Sequence, residues 1–414
     1  MAVGQVRDAD VVIVGGGQAA LAAGYYLQRA NRDRSSVGAA PLRFVLMDQR
    51  PTAGGAWSDG WESLRLFSPA AYGSLPGWPM PPEKGSSETP SAEHVRRYLE
   101  DYEQRYQLPV QRPVTVTGVE RNPESYGFRV ATDQGSWSAR SVISATGTWA
   151  RPFWPRYPGM TTFRGRQLHT QHYRRADDFE KARVLVVGGG NSAAQITADL
   201  ARRQDGTVTW VTLRPPRYLP DDIDGRALFD IATRAVRSAN PAQQGVGSLG
   251  DIVAVPTVRE ARDRGLLNAQ PMFDRLTPTG VAWDDPHRQV TVDVILWCTG
   301  FRPDLAHLTG MGLARHHGHP VTDADLPTRS ADHRGLFFLG YGDWCGPASA
   351  TLIGVGPAAR ATVSVLLAEL GDSAGVRAEP AAQISVSRRP HQPSRPPHRY
   401  PRSTAAGCPS GGGQ

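Results

Sequence analysis

Lysine is almost missing from this chain. Lys84 and Lys181 are the only two among 46 lysine and arginine side chains, so arginine carries the positive charge, a compositional bias without functional content. The net charge is +7, yet six arginines against one glutamate lie from Arg377 onward. The body of the chain is nearly neutral, and the high isoelectric point is no argument for a nucleic-acid surface. Cysteine is equally scarce. Cys298, Cys345 and Cys408 stand far apart without a C-x-x-C pair, which excludes a zinc knuckle or a redox dithiol and suits a cytoplasmic protein. Long apolar runs are lacking too. The stretch Val11–Leu27 is broken by three glycines and Gln18 and ends at Gln28-Arg29, so it reads as strand, turn and helix rather than a membrane span. Asp8 and Asp10 just before it are unlike a signal peptide.

What is present is glycine in two matched settings. The β-branched run Val11–Val14 leads into Gly15, Gly17 and Ala20 at G-x-G-x-x-A spacing, then into an Ala- and Leu-rich helical stretch. Such a turn needs one glycine for its sharp bend, a second to let backbone approach a pyrophosphate, and a small residue where helix packs on strand. The free N–H groups at the helix start then meet the diphosphate. A second strand, residues 43–48, ends in Asp48, placed for a ribose hydroxyl, and the polar stretch 31–41 reads as an insertion that lengthens the gap. The pattern recurs after Arg183 with Gly188, Gly190 and Ala193, but its next strand, 207–214, ends in Arg214. An arginine there, or Arg217, pairs with a 2′-phosphate where an acid repels it, which favours NADPH. Two nucleotide folds in one chain imply electron transfer between two coenzymes, most economically FAD and NADPH.

Further stretches agree. Gly54 and Gly55 let backbone lie against a flavin, and Trp57 covers its ring. "SVISATG" (141–147) and "DVILWCTG" (293–300) are near-twin strand ends, with Gly147 and Gly300 at sharp turns leading into crossings between domains. The run 335–344 is a buried strand ending near Asp343, an acid suited to the ribityl chain, and residues 349–367 read as a loop entering a helix.

Phe163, Gly165, His169 and Tyr173, followed by Arg174, resemble the F-x-G-x3-H-x3-[FY] fingerprint of the flavin-containing monooxygenases, over about residues 9–370. Tyr173-Arg174 is more similar to the N- and S-oxygenating branch than to the Baeyer–Villiger branch. The stretches 217–230, 250–265 and 341–356 resemble the subgroup from arsenic-resistance operons. The resemblance implies that the fingerprint braces the hinge between domains, His169 taking no part in proton chemistry. It implies oxygenation of a soft nucleophile (a trivalent arsenical, a sulfide or an amine) through a C4a-hydroperoxyflavin. Ser68 stands where many members carry an asparagine that steadies the oxygenated flavin, and Asn191 and Ser192 match the family's GGGNS loop. Ser68 and Asn191 are thus the candidate catalytic positions. The same two sites also suit a poorly coupled NAD(P)H oxidase or diaphorase, and a non-catalytic flavin-binding redox sensor is a third reading. Neither His169-x2-His172 nor 316–319 (HHGH) is read as a metal site.

The expected architecture is α/β, with two Rossmann-like domains: a discontinuous FAD domain (1–155 plus 293–371), a NADP domain (170–292) and a disordered tail (372–414). Residues 81–93 read as a loop before an amphipathic helix, and 238–250 as a lid or an insertion. The expected partners are a small-molecule substrate and dioxygen, with neither nucleic acid nor membrane, and a homodimer is admitted.

Overall fold

Four consecutive aliphatic residues, Val11–Val14, form the end of the first strand. Such a run is what a parallel strand covered on both faces requires, and all four are buried. The computed structural model describes residues 6–85, 89–122, 127–202, 207–221 and 252–371. The expected tail 372–414 and the 238–250 segment lie outside them.

In chain order the first sheet receives β1 (Arg7–Val14), β2 (Phe44–Met47), β3 (Val110–Gln111), β4 (Val116–Arg121), β5 (Phe128–Thr132) and β6 (Gly135–Ser144). The second receives β7 (Arg166–His169), β8 (Arg183–Val187), β9 (Thr207–Thr212) and β10 (Ala269–Pro271). A three-stranded meander follows, β11 (Arg275–Thr277), β12 (Gly280–Trp283) and β13 (Arg288–Thr291), and then β14 (Val294–Trp297). A small hairpin, β15 (Arg315–His316) with β16 (His319–Pro320), precedes β17 (Leu336–Phe338). The first sheet has the order β3-β2-β1-β6-β5-β4, with β17 beside the C-terminal half of β6. The second is wholly parallel, in the order β10-β9-β8-β14-β7. The first sheet is mixed, its β6-β5-β4 edge antiparallel, but in both sheets a strand, glycine turn and helix sit among parallel strands, as in the expected pair of Rossmann-like domains.

One expectation needs correction. The boundary at 292/293 assigned Val294–Trp297 to the first domain, yet β14 pairs with β8 and β7. The twin strand ends do not both serve the first sheet, because each lies beside the strand that leads into its own glycine turn. The stretch 31–41 lengthens the gap before β2 largely as helix. Helix α1 spans Gln18–Ser36 and absorbs most of it, and Asn31 then pins the turn through both the N–H and the carbonyl of Leu42.

Helix α2 (Ala92–Arg105) starts at Ser91, whose hydroxyl accepts from the N–H of His94. The buried faces of α1 and α2 share one apolar cluster with the last helix, Leu352–Glu369. That last helix is long and apolar enough to cross a membrane by length and composition, but Val355, Ala359, Val363 and Leu366 are fully buried in this cluster. The shorter helices Asn191–Ala201 (α3) and Pro256–Asp263 (α4) pack with the second sheet, and the last helix is α5.

Candidate active site

The two glycine turns repeat one construction. Gly15 has φ +126°, and a Cβ added to it would lie 2.4 Å from the carbonyl oxygen of Ala145. Gly188 has φ +144°, and its Cβ would lie 2.3 Å from the carbonyl oxygen of Cys298. The N–H of Gly15 donates to Met47 at 2.8 Å, and that of Gly188 to Val211 at 3.0 Å. Each turn is therefore pinned between the ends of two neighbouring strands, and one of those is the twin strand recognised in the sequence. Gly17 and Gly190 cap α1 and α3 in extended conformation. Neither cap has a side-chain partner, and neither first turn holds an acid. These helix starts leave N–H groups and a positive dipole end for a diphosphate. Ala20 and Ala193 are fully buried between helix and sheet, as close packing demands.

The first turn opens into a cleft of about 480 Å³. Gly15, Gly17, Asp48, Gly55, Trp57, Leu64, Gly147 and Trp149 all line it. Gly16 and Gly55 are required by contact. A Cβ on Gly16 would lie 2.3 Å from the Asp48 carboxylate, and one on Gly55 would lie 2.8 Å from the Cα of Gly17. Asp48 is buried, accepts from the N–H of Arg50 at 3.1 Å, and is held at 3.2 Å by Nε of Arg112. Arg112 is itself clamped by Glu103 through two bonds of 2.6 and 2.7 Å. The acid is thus oriented before any ligand arrives. The indole N–H of Trp57 donates to Gln18, whose amide donates to the carbonyl of Ala350, at 3.0 and 2.7 Å. One glutamine ties the Trp57 turn to α1 and to the loop before α5. Neither Gln18 nor Arg112 was legible as a site residue, since each acts through contacts remote in sequence.

Other expected residues fall elsewhere. Gly54 does not face the cleft; a Cβ there would strike Arg96 on α2 at 2.6 Å. Asp343 is exposed, and its carboxylate accepts from the N–H of Ala348 at 3.3 Å, capping its own turn. It lies outside the cleft lining, which Gly340 and Ala350 join instead. Ser68 is half-buried and also outside that lining. It follows Phe67, which packs with Trp61 and Leu64 onto the apolar cluster of the second sheet. Asn191 spends its amide oxygen on the N–H of Val253 at 2.8 Å, and Ser192 is half-buried beside it. Arg214 is exposed two residues past β9, and the nearest atoms to a Cβ on Gly189 belong to Thr212, at 3.8 Å. The second turn therefore has room where Asp48 crowds the first.

The fingerprint lies against the two chains that leave the glycine-ended strands. The chain leaving Gly147 and the chain leaving Gly300 pair as a short ribbon, with Pro152 bridging Phe301 and Asp304 N–H donating to Gly147. His169 is fully buried. Its Nε2 lies 3.0 Å from the Gly300 carbonyl, and its Nδ1 accepts from the N–H of Gln171 at 3.2 Å. Burial pushes its pKa down to about 4. With both nitrogens occupied, it forms no metal pair with His172. The ring of Phe163 covers Gly165, where a Cβ would lie 2.3 Å away. Tyr173 donates to Asp199 on α3 at 2.6 Å and stacks on Phe179.

A nucleotide cleft with a strand-end acid, a second glycine turn with an arginine, and a ribbon joining them define a flavoprotein oxidoreductase fed by a nicotinamide nucleotide. Residues 12–222 match the family described as pyridine nucleotide-disulphide oxidoreductase. A solved flavin-containing monooxygenase from Stenotrophomonas maltophilia is 41% identical, with a TM-score of 0.76 over 88% of this chain and 100% of that one. An uncharacterized CzcO-like oxidoreductase from Geobacillus kaustophilus is 26% identical over 86% of this chain and 98% of its own length. A probable indole-3-pyruvate monooxygenase, YUCCA4 of Arabidopsis thaliana, is 30% identical over 53% of this chain and 51% of its own. The chain belongs to the flavin-dependent monooxygenases, which use FAD and NADPH.

Proposed function

We propose that this monooxygenase oxygenates a small soft nucleophile, a trivalent arsenical, sulfide or amine, at the expense of NADPH and dioxygen. The observation that carries the reading is the pair of glycine turns at opposite ends of one ribbon, 147–153 with 300–304. Reduced FAD supplies the oxygen-activating chemistry when bound. The chain's own residues hold and shield. Asp48, oriented by Arg112, takes the ribose, and the α1 start takes the diphosphate. Trp57 and Leu64 wall the cleft against water, while Arg214 takes the 2′-phosphate of the second coenzyme. His169 is neutral and bonded through both nitrogens, so it braces the ribbon and moves no proton. The similarity of Tyr173-Arg174 to the N- and S-oxygenating branch, and of residues 217–230, 250–265 and 341–356 to the arsenic-resistance subgroup, supports the substrate class.

Ser68 favours a second reading. It stands outside the cleft lining, and its short hydroxyl offers less reach than an amide, which suits a poorly coupled NADPH oxidase. The deciding measurement is product formed per NADPH consumed across arsenite, a thioether and a tertiary amine. A ratio near one with any of them carries the oxygenase reading. Peroxide release with every candidate, and no product, overturns it in favour of the oxidase.

A further inference from the structure

His307 lines the first cleft from the turn Ala306–Met311, a segment that packs beside β4. Val114 and Thr115, just before β4, and its first residue Val116 line the same cleft. The N–H of Val114 donates to the backbone carbonyl of Asp48 at 2.8 Å. His307 therefore stands at the Asp48 end, where the adenosine half of a dinucleotide belongs when the strand-end acid takes the ribose.

A buried chain of hydrogen bonds sets the tautomer of His307. The hydroxyl of Thr146 donates to the backbone carbonyl of Asp304 at 2.5 Å, since a carbonyl only accepts. Each hydroxyl has one proton, so Thr146 has none left for Tyr341. The phenol of Tyr341 must therefore donate to Thr146 across their 2.6 Å contact. By the same count Ser144 donates to Tyr341 across 2.5 Å. Ser144 then accepts from His307, whose Nε2 lies 3.0 Å away. The proton resides on Nε2, and Nδ1 is the bare acceptor left for the cleft. Burial holds the imidazole at about 4, well below its usual value, so the ring is neutral at physiological pH.

We propose that His307 reads the adenosine half of FAD, its Nδ1 accepting a hydrogen bond from the exocyclic amine of adenine or a ribose hydroxyl. The inference rests on the reading that the first cleft holds FAD. It makes Tyr341 and Ser144 positioning residues, because they fix which nitrogen carries the proton.

The test is flavin dissociation from the purified holoenzyme, with FAD compared against FMN, which lacks adenosine. His307→Ala is expected to weaken FAD about five- to tenfold, the worth of one hydrogen bond, and to leave FMN unchanged. His307→Gln keeps an acceptor and is expected to recover part of the loss. Tyr341→Phe frees the Ser144 proton to turn toward Nε2, so it is expected to weaken FAD without removing a cleft group. Nitrogen-15 shifts of the imidazole ring read the tautomer directly and decide the matter even where the alanine variant folds poorly. FAD held equally well by His307→Ala, equal weakening of FAD and FMN, or a proton on Nδ1 in the unchanged protein overturns the proposal. A protein that binds no flavin at all overturns the cofactor reading with it, a distinguishable failure.

Discussion

Nε2 of His169 donates to the carbonyl oxygen of Gly300 across 3.0 Å, joining the end of β7 to the turn that follows β14. This bond holds the start of one ribbon strand in place. His169→Ala removes it and leaves a cavity between Trp154 and Phe301. The expected cost is about 2–4 kcal/mol of stability. FAD is retained, while KM for NADPH rises and coupling falls. His169→Gln, which still donates, is expected to restore much of both. Unchanged NADPH kinetics in the alanine variant would remove the fingerprint from nicotinamide placement.

Acid is expected to destabilise the protein before its carboxylates titrate. Burial holds His169 and His307 down to about 4, from an ordinary value of 6.5. Between those values the unfolded chain binds protons that the folded chain refuses. Their contribution is complete above pH 6.5 and is lost as pH falls toward 4. The melting temperature should drop between pH 7 and pH 5, and the drop should shrink in a His169→Gln, His307→Gln double variant.

Alanine at the two elbows separates the two coenzymes. At Gly15 and Gly188 the added methyl meets a backbone carbonyl at 2.4 and 2.3 Å, in a left-handed conformation that alanine resists. Gly15→Ala is expected to yield colourless protein. Gly188→Ala is expected to stay yellow yet fail to bleach with NADPH under anaerobic conditions. Gly118→Ala, on β4 and outside the cleft lining, meets nothing within 4 Å and serves as the folding control.

Replacing Arg214 with serine is expected to lower kcat/KM for NADPH roughly ten- to a hundredfold, the worth of a charge-assisted contact, and to leave NADH turnover nearly unchanged. Equal losses with both coenzymes would transfer the role to Arg217 or elsewhere.

Ser68→Asn is expected to raise the share of consumed NADPH that appears as oxygenated product. A coupling ratio that does not move would place Ser68 outside the oxygen chemistry.

Local backbone demands are written in local spacing. Gly15, Gly188 and their small partners Ala20 and Ala193 were legible because a strand–turn–helix around a diphosphate fails with larger residues at those positions. Asp48 and Arg214 followed from their place at strand ends. The fingerprint was legible as a pattern, but its physical content was not. Nothing in the spacing says that Phe163 lies on Gly165 or that His169 reaches Gly300. The near identity of two strand ends was visible as well, and yet their assignment failed, because strand pairing joins residues more than a hundred positions apart.

The amino-acid order alone set out two glycine elbows and the coenzyme expected at each, since those requirements span fewer than forty residues. Packing decided the remainder: that β14 lies between β8 and β7 in the second sheet, that Asp343 caps its own turn, and that Arg112 steadies Asp48. It also decided that a relay through Thr146, Tyr341 and Ser144 leaves one nitrogen of His307 bare. A hydrogen-bond donor is committed once, and only the folded arrangement tells each hydroxyl where its single proton goes.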